Sequence, residues 1–274
     1  MAMIVKHNLQ AMNSNRMLGV NSSTLSKSTE KLSFGYKINR AADDAAGLSI
    51  SEKMRRQIRG LTQASANAQD GISCVQTAEG ALNEVHDMLQ RMNELAVKAA
   101  NGTNQSADAG YIQDEVNQLI SEIDRVAKNT TFNEKSLLAG TEFSAGVNLQ
   151  VGSEDGHVIK MTISTMDASS LGVASVKVSE VSTASQQISV IKTALEKVSK
   201  QRSSLGAVQN RLEHTIANLD NVVENTTAAE ARIRDTDMAT EMVKYSNNQI
   251  LAQAGQAMLA QANQANQGVL SLIQ

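Results

Sequence analysis

Not one proline interrupts the 274 residues of this chain. Average usage would place about 14 in a chain this long. Proline ends helices and stiffens linkers, so its absence leaves long uninterrupted helices free to form. The apolar residues are spaced accordingly. Leu82, Val85, Leu89, Met92, Ala96 and Ala99 recur three and four apart. So do Ile112, Val116, Leu119, Ile123 and Val126, and then Ile188, Ile191, Leu195 and Val198. Leu205, Leu212, Ile216, Leu219 and Val223 carry a looser version onward. A repeat of 3.5 residues puts each set on one face of a helix, the pattern of coiled-coil bundling. The expected fold class is therefore mainly α: an elongated rod of long antiparallel coiled-coil-like helices.

The breaks in this pattern predict the organisation. A helix of about residues 45–100 stops at Asn101-Gly102-Thr103-Asn104, and a second ends at Leu138-Ala139-Gly140. Val147, Leu149 and Val151 then alternate with polar residues, as do Ile159, Met161 and Ile163. Gly152-Ser153-Glu154-Asp155-Gly156 lies between, so a β-hairpin is expected within about residues 143–164. Residues 164–187 read as loop or short strand, with helix resuming near Ser185 and running almost to the end.

Composition excludes several function classes. Aromatics make up 2% of the chain, so the core must be aliphatic and methionine-built. One cysteine, Cys74, precludes an internal disulfide, and its neighbours Ile72 and Val75 mark it as a small buried residue. A net charge of -3 gives no general attraction to nucleic acid. No run of apolar residues is long enough to span a bilayer or to serve as a cleaved secretory signal. His7, His86, His157 and His214 are widely scattered, and no HExxH, GxSxG, P-loop or GxGxxG motif occurs. No catalytic residue, metal ligand or cofactor site is expected. The carboxylate pairs Asp43/Asp44 and Asp235/Asp237 read as helix caps and solvated charges.

The ends differ from the middle. Residues 245–274 carry no charge, and residues 1–26 carry only Lys6 and Arg16 besides His7. An apolar spacing persists through Leu251, Ala254, Met258, Ala262, Ala265, Val269 and Leu272. Such narrow faces make marginal helices alone, but uncharged ones cost little to bury. The two ends are expected to meet and to be ordered by packing between many subunits, with Leu251, Ala254, Met258, Ala262, Val269 and Leu272 as assembly residues.

Several long motifs then stand in order. Leu32-Ser33-Phe34-Gly35-Tyr36-Lys37-Ile38-Asn39 precedes Ala41-Ala42-Asp43-Asp44-Ala45-Ala46-Gly47. Gly60-Leu61-Thr62-Gln63-Ala64-Ser65 and Gln76-Thr77-Ala78-Glu79-Gly80-Ala81-Leu82 follow. Leu205-Gly206-Ala207-Val208-Gln209-Asn210-Arg211-Leu212 and Leu259-Ala260-Gln261-Ala262-Asn263-Gln264 stand near the other end. The chain resembles bacterial flagellin over nearly its whole length. It departs at Phe34, where the family usually has a small residue, and at Asn266, where most members have proline.

The resemblance implies an inner core domain from residues 1–44 and 235–274, an outer helical domain from 45–234 carrying the hairpin, and no large variable domain. It implies a subunit that self-polymerises into the extracellular flagellar filament, exported by the flagellar type III apparatus without a cleaved signal. The alternative is a hook–filament junction protein. The implied partners are further copies of the chain, an export chaperone at the C-terminal helix, hook-associated and cap proteins, and Toll-like receptor 5. The residues matching the family's receptor-binding segment are Leu89, Gln90, Arg91, Glu94 and Leu95, with Glu115 on the next helix.

Overall fold

The computed structural model describes residues 7–271; the side chains of Ser106, Thr141 and 265–271 lie outside that description. Seven helices and four short strands follow one another among the described residues. Helix α1 spans Leu9–Phe34, α2 Ala45–Ala99 and α3 Ser106–Asn129. Strands β1 (Thr131–Phe132) and β2 (Lys135–Ser136) come next, then α4 (Thr141–Ala145). Strands β3 (Val147–Gln150) and β4 (Val158–Met161), the short α5 (Ala168–Leu171), α6 (Val181–Arg234) and α7 (Met238–Ser271) complete the chain. The mainly helical class is borne out, and α2 and α6 are 55 and 54 residues long. Among the described residues no helix is long and apolar enough to cross a membrane.

Contacts divide the chain into two compact units: a terminal unit, up to Arg56 and from Asn225 onward, and a central unit, Gln57–Glu224. The central unit holds the main core. The seam Leu82, Val85, Leu89, Met92, Ala96 and Ala99 is buried there with Ile112, Val116 and Ile123 of α3 and Ile191, Val198 and Leu205 of α6. The α2 and α6 segments run antiparallel, since Leu61 and Ala64 cluster with Leu219 while Glu79 pairs with Arg202. Strands β3 and β4 pair antiparallel, with Leu149 opposite Ile159, as the alternation predicts. The hairpin lies on α2 because Gly71 leaves room for it: a Cβ there would come within 2.7 Å of Leu149.

The sequence reading is corrected in two places and filled in at a third. Helix α3 ends at Asn129, and residues 131–136 form a tight hairpin rather than more helix. The descending helix starts at Val181 and breaks at residues 235–237. Nothing there is a strong breaker; Asp237 starts α7 by accepting from Ala239 N at 3.0 Å and Thr240 N at 3.3 Å. The Thr240 hydroxyl also donates to Asp237, and these bonds hold its carboxyl below the usual range. Up to residue 180 the expected loop is borne out apart from the short α5, and residues 162–178 are packed against the core. Ile163, Met166, Leu171, Val173, Val176 and Val178 are buried. Helix side chains stand in for a neighbouring strand. Gln201 donates to Thr162 O and accepts from Ser164 N, and Asp124 accepts from Ala168 N. Gln113 accepts from Val178 N and donates to Val176 O.

The two-residue turn of the β1–β2 hairpin, Asn133-Glu134, has φ of 48° and 65°. Both are left-handed, as a type I′ turn requires. Asn tolerates this; for Glu it costs about 1 kcal/mol. Glu134→Gly is expected to stabilise the central unit by about 0.5–1 kcal/mol, seen as a higher urea midpoint at unchanged slope.

Cys74 is buried, as its neighbours predict, and burial pushes its thiol up to about 11. Labelling by iodoacetamide at pH 8 should be at least 100-fold slower on the folded chain than in denaturant, because only the thiolate reacts.

Candidate functional site

In the terminal unit α1 packs along α7. Their contact is built from small and polar groups more than from a large core. Ser28 is buried in it, and Gly255 lets the helices approach so closely that an added Cβ would lie 3.3 Å from Leu18. Two asparagines tie the helices together: Asn8 donates to Ala262 O and Asn21 to Asn248 O, both at 3.0 Å. These bonds fix the register, since each side-chain amide must meet one carbonyl on the other helix.

Larger apolar groups stand outside this contact. Among the described residues sixteen large apolar side chains are exposed, and twelve belong to the terminal unit. Leu251 and Met258 are each 58% exposed. With Ala254 they line a groove of about 490 Å³ whose other wall is Met17, Leu18 and Val20 of α1. Leu251, Ala254 and Met258 thus form one open apolar face, while Ala262 turns inward against α1. The side chain of Val269 and all of Leu272 lie outside the described residues. Helix α7 runs on through Asn266 without a break, consistent with the missing proline. Phe34 is 64% exposed beside Gly35, which ends α1 in a left-handed conformation at φ 75°. Exposed apolar faces of this extent mark surfaces that another molecule covers.

The residues expected from the family resemblance to meet a receptor divide by helix face. Leu89 and Leu95 are buried in the core of the central unit and position the helix. Gln90, Arg91, Glu94 and Glu115 face outward. Arg91 Nε donates to Glu115 Oε1 at 2.9 Å across to α3, and Arg91 Nη1 to Glu94 Oε2 at 3.1 Å one turn along. The Glu115 bond, then the Glu94 bond, raise the guanidinium above its ordinary value. The Gln90 amide meets His86 Nε2 at 2.8 Å. This surface offers a fixed, charge-compensated arginine on rigid helices and no group poised for chemistry.

Residues 5–143 match the family model for the bacterial flagellin N-terminal helical region, and residues 188–273 match that for the C-terminal helical region. The chain belongs to the bacterial flagellin family. Flagellin of Halalkalibacterium halodurans is 53% identical over 273 residues, covering 99% of this chain and all of the relative. Flagellin of Bacillus subtilis is 48% identical, again over 99% of this chain and all of the relative. The flagellar filament 33 kDa core protein of Treponema phagedenis is also 48% identical at the same coverage. The crystal structure of Bacillus cereus flagellin superimposes with a TM-score of 0.50 at 33% identity, covering 56% of this chain and 88% of that one. This flagellin is a structural subunit of the bacterial flagellar filament and not an enzyme. Full coverage of relatives of nearly the same length fits a short form without a large inserted domain.

Proposed function

We propose that this flagellin polymerises through the open faces of α1 and α7, with residues 1–44 and 235–274 as an inner core and residues 45–234 as the surrounding layer. The observation that carries this reading is the groove walled by Met17, Val20, Leu251 and Met258, where residues 8–26 of the helix pair carry only Arg16 and residues 245–271 no charge. A head-to-tail contact between unlike surfaces does not close on itself and grows an open helical polymer. Deleting residues 245–274 removes one wall of the groove. The full chain should form long tubes from short filament seeds, and the truncated chain none. Tubes from the truncated chain would sink the reading.

The finer partners follow from the family. The C-terminal helix, near residues 250–274, is the segment an export chaperone would cover before assembly. Hook-associated proteins below and a cap above would meet the same terminal surfaces at the filament's ends. Export would run through the flagellar type III apparatus without a cleaved signal.

Toll-like receptor 5 is the proposed animal partner, with Gln90, Arg91, Glu94 and Glu115 at the contact. Arginine is a frequent interface anchor, and here its side chain is already held in one place, so less freedom is lost on binding. Arg91→Ala is expected to weaken binding of the monomer to the receptor ectodomain about tenfold, read by surface plasmon resonance, without a resolvable change in melting temperature. Unchanged affinity would place the contact elsewhere.

A further inference from the structure

The apolar groove between α1 and α7 continues into a second one of different character. Thr24 lines both. The second groove, about 400 Å³, is walled by Lys27 and Lys31 of α1 and Lys244 of α7, with the buried Ser28 also lining it. Its one carboxylate, Glu241, is itself buried and stands 3.5 Å from Lys244. Among the described residues Lys27 and Lys31 form no ion pair within 4.0 Å; both act only at longer range on the facing carboxylate of Asp43, outside the groove. They lie one helical turn apart, so their charges add on one face and repel each other. Two such cations beside a groove favour a negatively charged neighbour there.

The charge of the two units points to what fills it. The terminal unit has twelve basic and eight acidic residues, a balance of +4. The central unit has thirteen basic and twenty acidic residues, a balance of -7. The overall charge of -3 hides this division. Residues 245–274 carry no charged side chain, so a neighbour's copy of that segment brings no side-chain carboxylate to the lysines, whereas the central unit has an excess of them.

We propose that the Lys27–Lys31–Lys244 groove receives carboxylates from the central unit of a neighbouring copy, so that a charged contact sets the register that the adjoining apolar groove alone leaves free. This rests on the polymerisation reading above. Apolar contact is non-directional and tolerates sliding, whereas an ion pair is satisfied at one position and penalises the others. The arrangement also makes growth depend on salt, because contacts at a groove mouth are screened within about 10 Å at 0.1 M.

The test uses the full-length chain with short seeds. The critical concentration for growth is measured by sedimentation in NaCl from about 50 to about 300 mM, the range over which screening changes most. For the unaltered chain it should rise with salt. Lys27→Glu with Lys31→Glu should raise it about tenfold at low salt and flatten the salt dependence. The neutral pair Lys27→Gln with Lys31→Gln should fall between. It also serves if the reversed pair does not fold, with helicity by circular dichroism as the check. Variants that grow at the critical concentration and salt slope of the unaltered chain would overturn the lysine contact while leaving polymerisation standing. Failure of the unaltered chain to grow would overturn both. Saturable binding of inorganic phosphate to the monomer at Lys27 and Lys31, with unaltered growth of the variants, would make the groove a small-anion site and overturn the intersubunit role.

Discussion

Replacing Leu251 and Met258 together by aspartate is expected to stop filament growth while leaving the central unit intact. Both side chains are more than half exposed in the single chain, so the folded monomer has little invested in them. A neighbour that covers the groove removes them from water. Full burial of each contributes about 1.5–3 kcal/mol, and with a little over half of that surface still open the pair accounts for about 2–3.5 kcal/mol of a subunit contact. That is roughly a 20- to 400-fold rise in critical concentration. Two carboxylates in the groove would add the cost of burying unpaired charge. Seeded growth followed by light scattering reads the loss, and the melting transition of the central unit reports that the fold survives. Growth at the original concentration would mean that this face is not an interface.

Leu89→Ala is expected to do the reverse. Leu89 is fully buried among α2, α3 and α6. Truncation removes its packing and leaves a cavity on a helix whose neighbours are themselves fixed, which costs about 2–5 kcal/mol. The central unit should melt several degrees lower, and receptor binding should fall only as far as the fold does. Leu89 and Arg91 are two residues apart and face opposite ways on α2, so one variant reports on packing and the other on recognition. A Leu89→Ala chain with an unchanged melting temperature would contradict the core assignment.

What was legible in the sequence follows from how each element is specified. The seams of α2, α3 and α6 repeat over several turns, and Leu82, Val85, Leu89 and Met92 are all completely buried. Long periodic signals survive local exceptions. The β3–β4 hairpin was equally plain, since its alternation and glycine-rich turn agree. The β1–β2 hairpin was hidden because its strands are two residues long and its turn is Asn-Glu, without the glycine that usually marks a type I′ turn. The break before α7 was legible only in part: Asp235 and Asp237 read as caps, and Asp237 is one, but Asp-Thr-Asp is also tolerated within a helix. The capping bonds of Asp237 and the pairing of Tyr36 with Asp235, flanked by Lys37 N to Arg234 O and Thr236 N to Gly35 O, mark where the helix is interrupted. The packed segment of residues 162–178 depends on Gln113, Asp124 and Gln201, polar residues far off in sequence that give no local sign of their partners.

The candidate assembly face was legible for a simpler reason. A stretch of thirty residues without charge is unusual on a surface and ordinary in an interface. The inward turn of Ala262 was not, because an apolar stripe does not say which of its members meets the partner helix of the same chain. The lysine groove was invisible too, since Lys27, Lys31 and Lys244 converge only when α1 lies along α7.

A helical reconstruction of filaments grown from the purified chain tests the central claim most directly. The account predicts Met17, Val20, Leu251 and Met258 enclosed between neighbouring copies. A tube in which those side chains face open solvent, with the subunits joined through other surfaces, would contradict it.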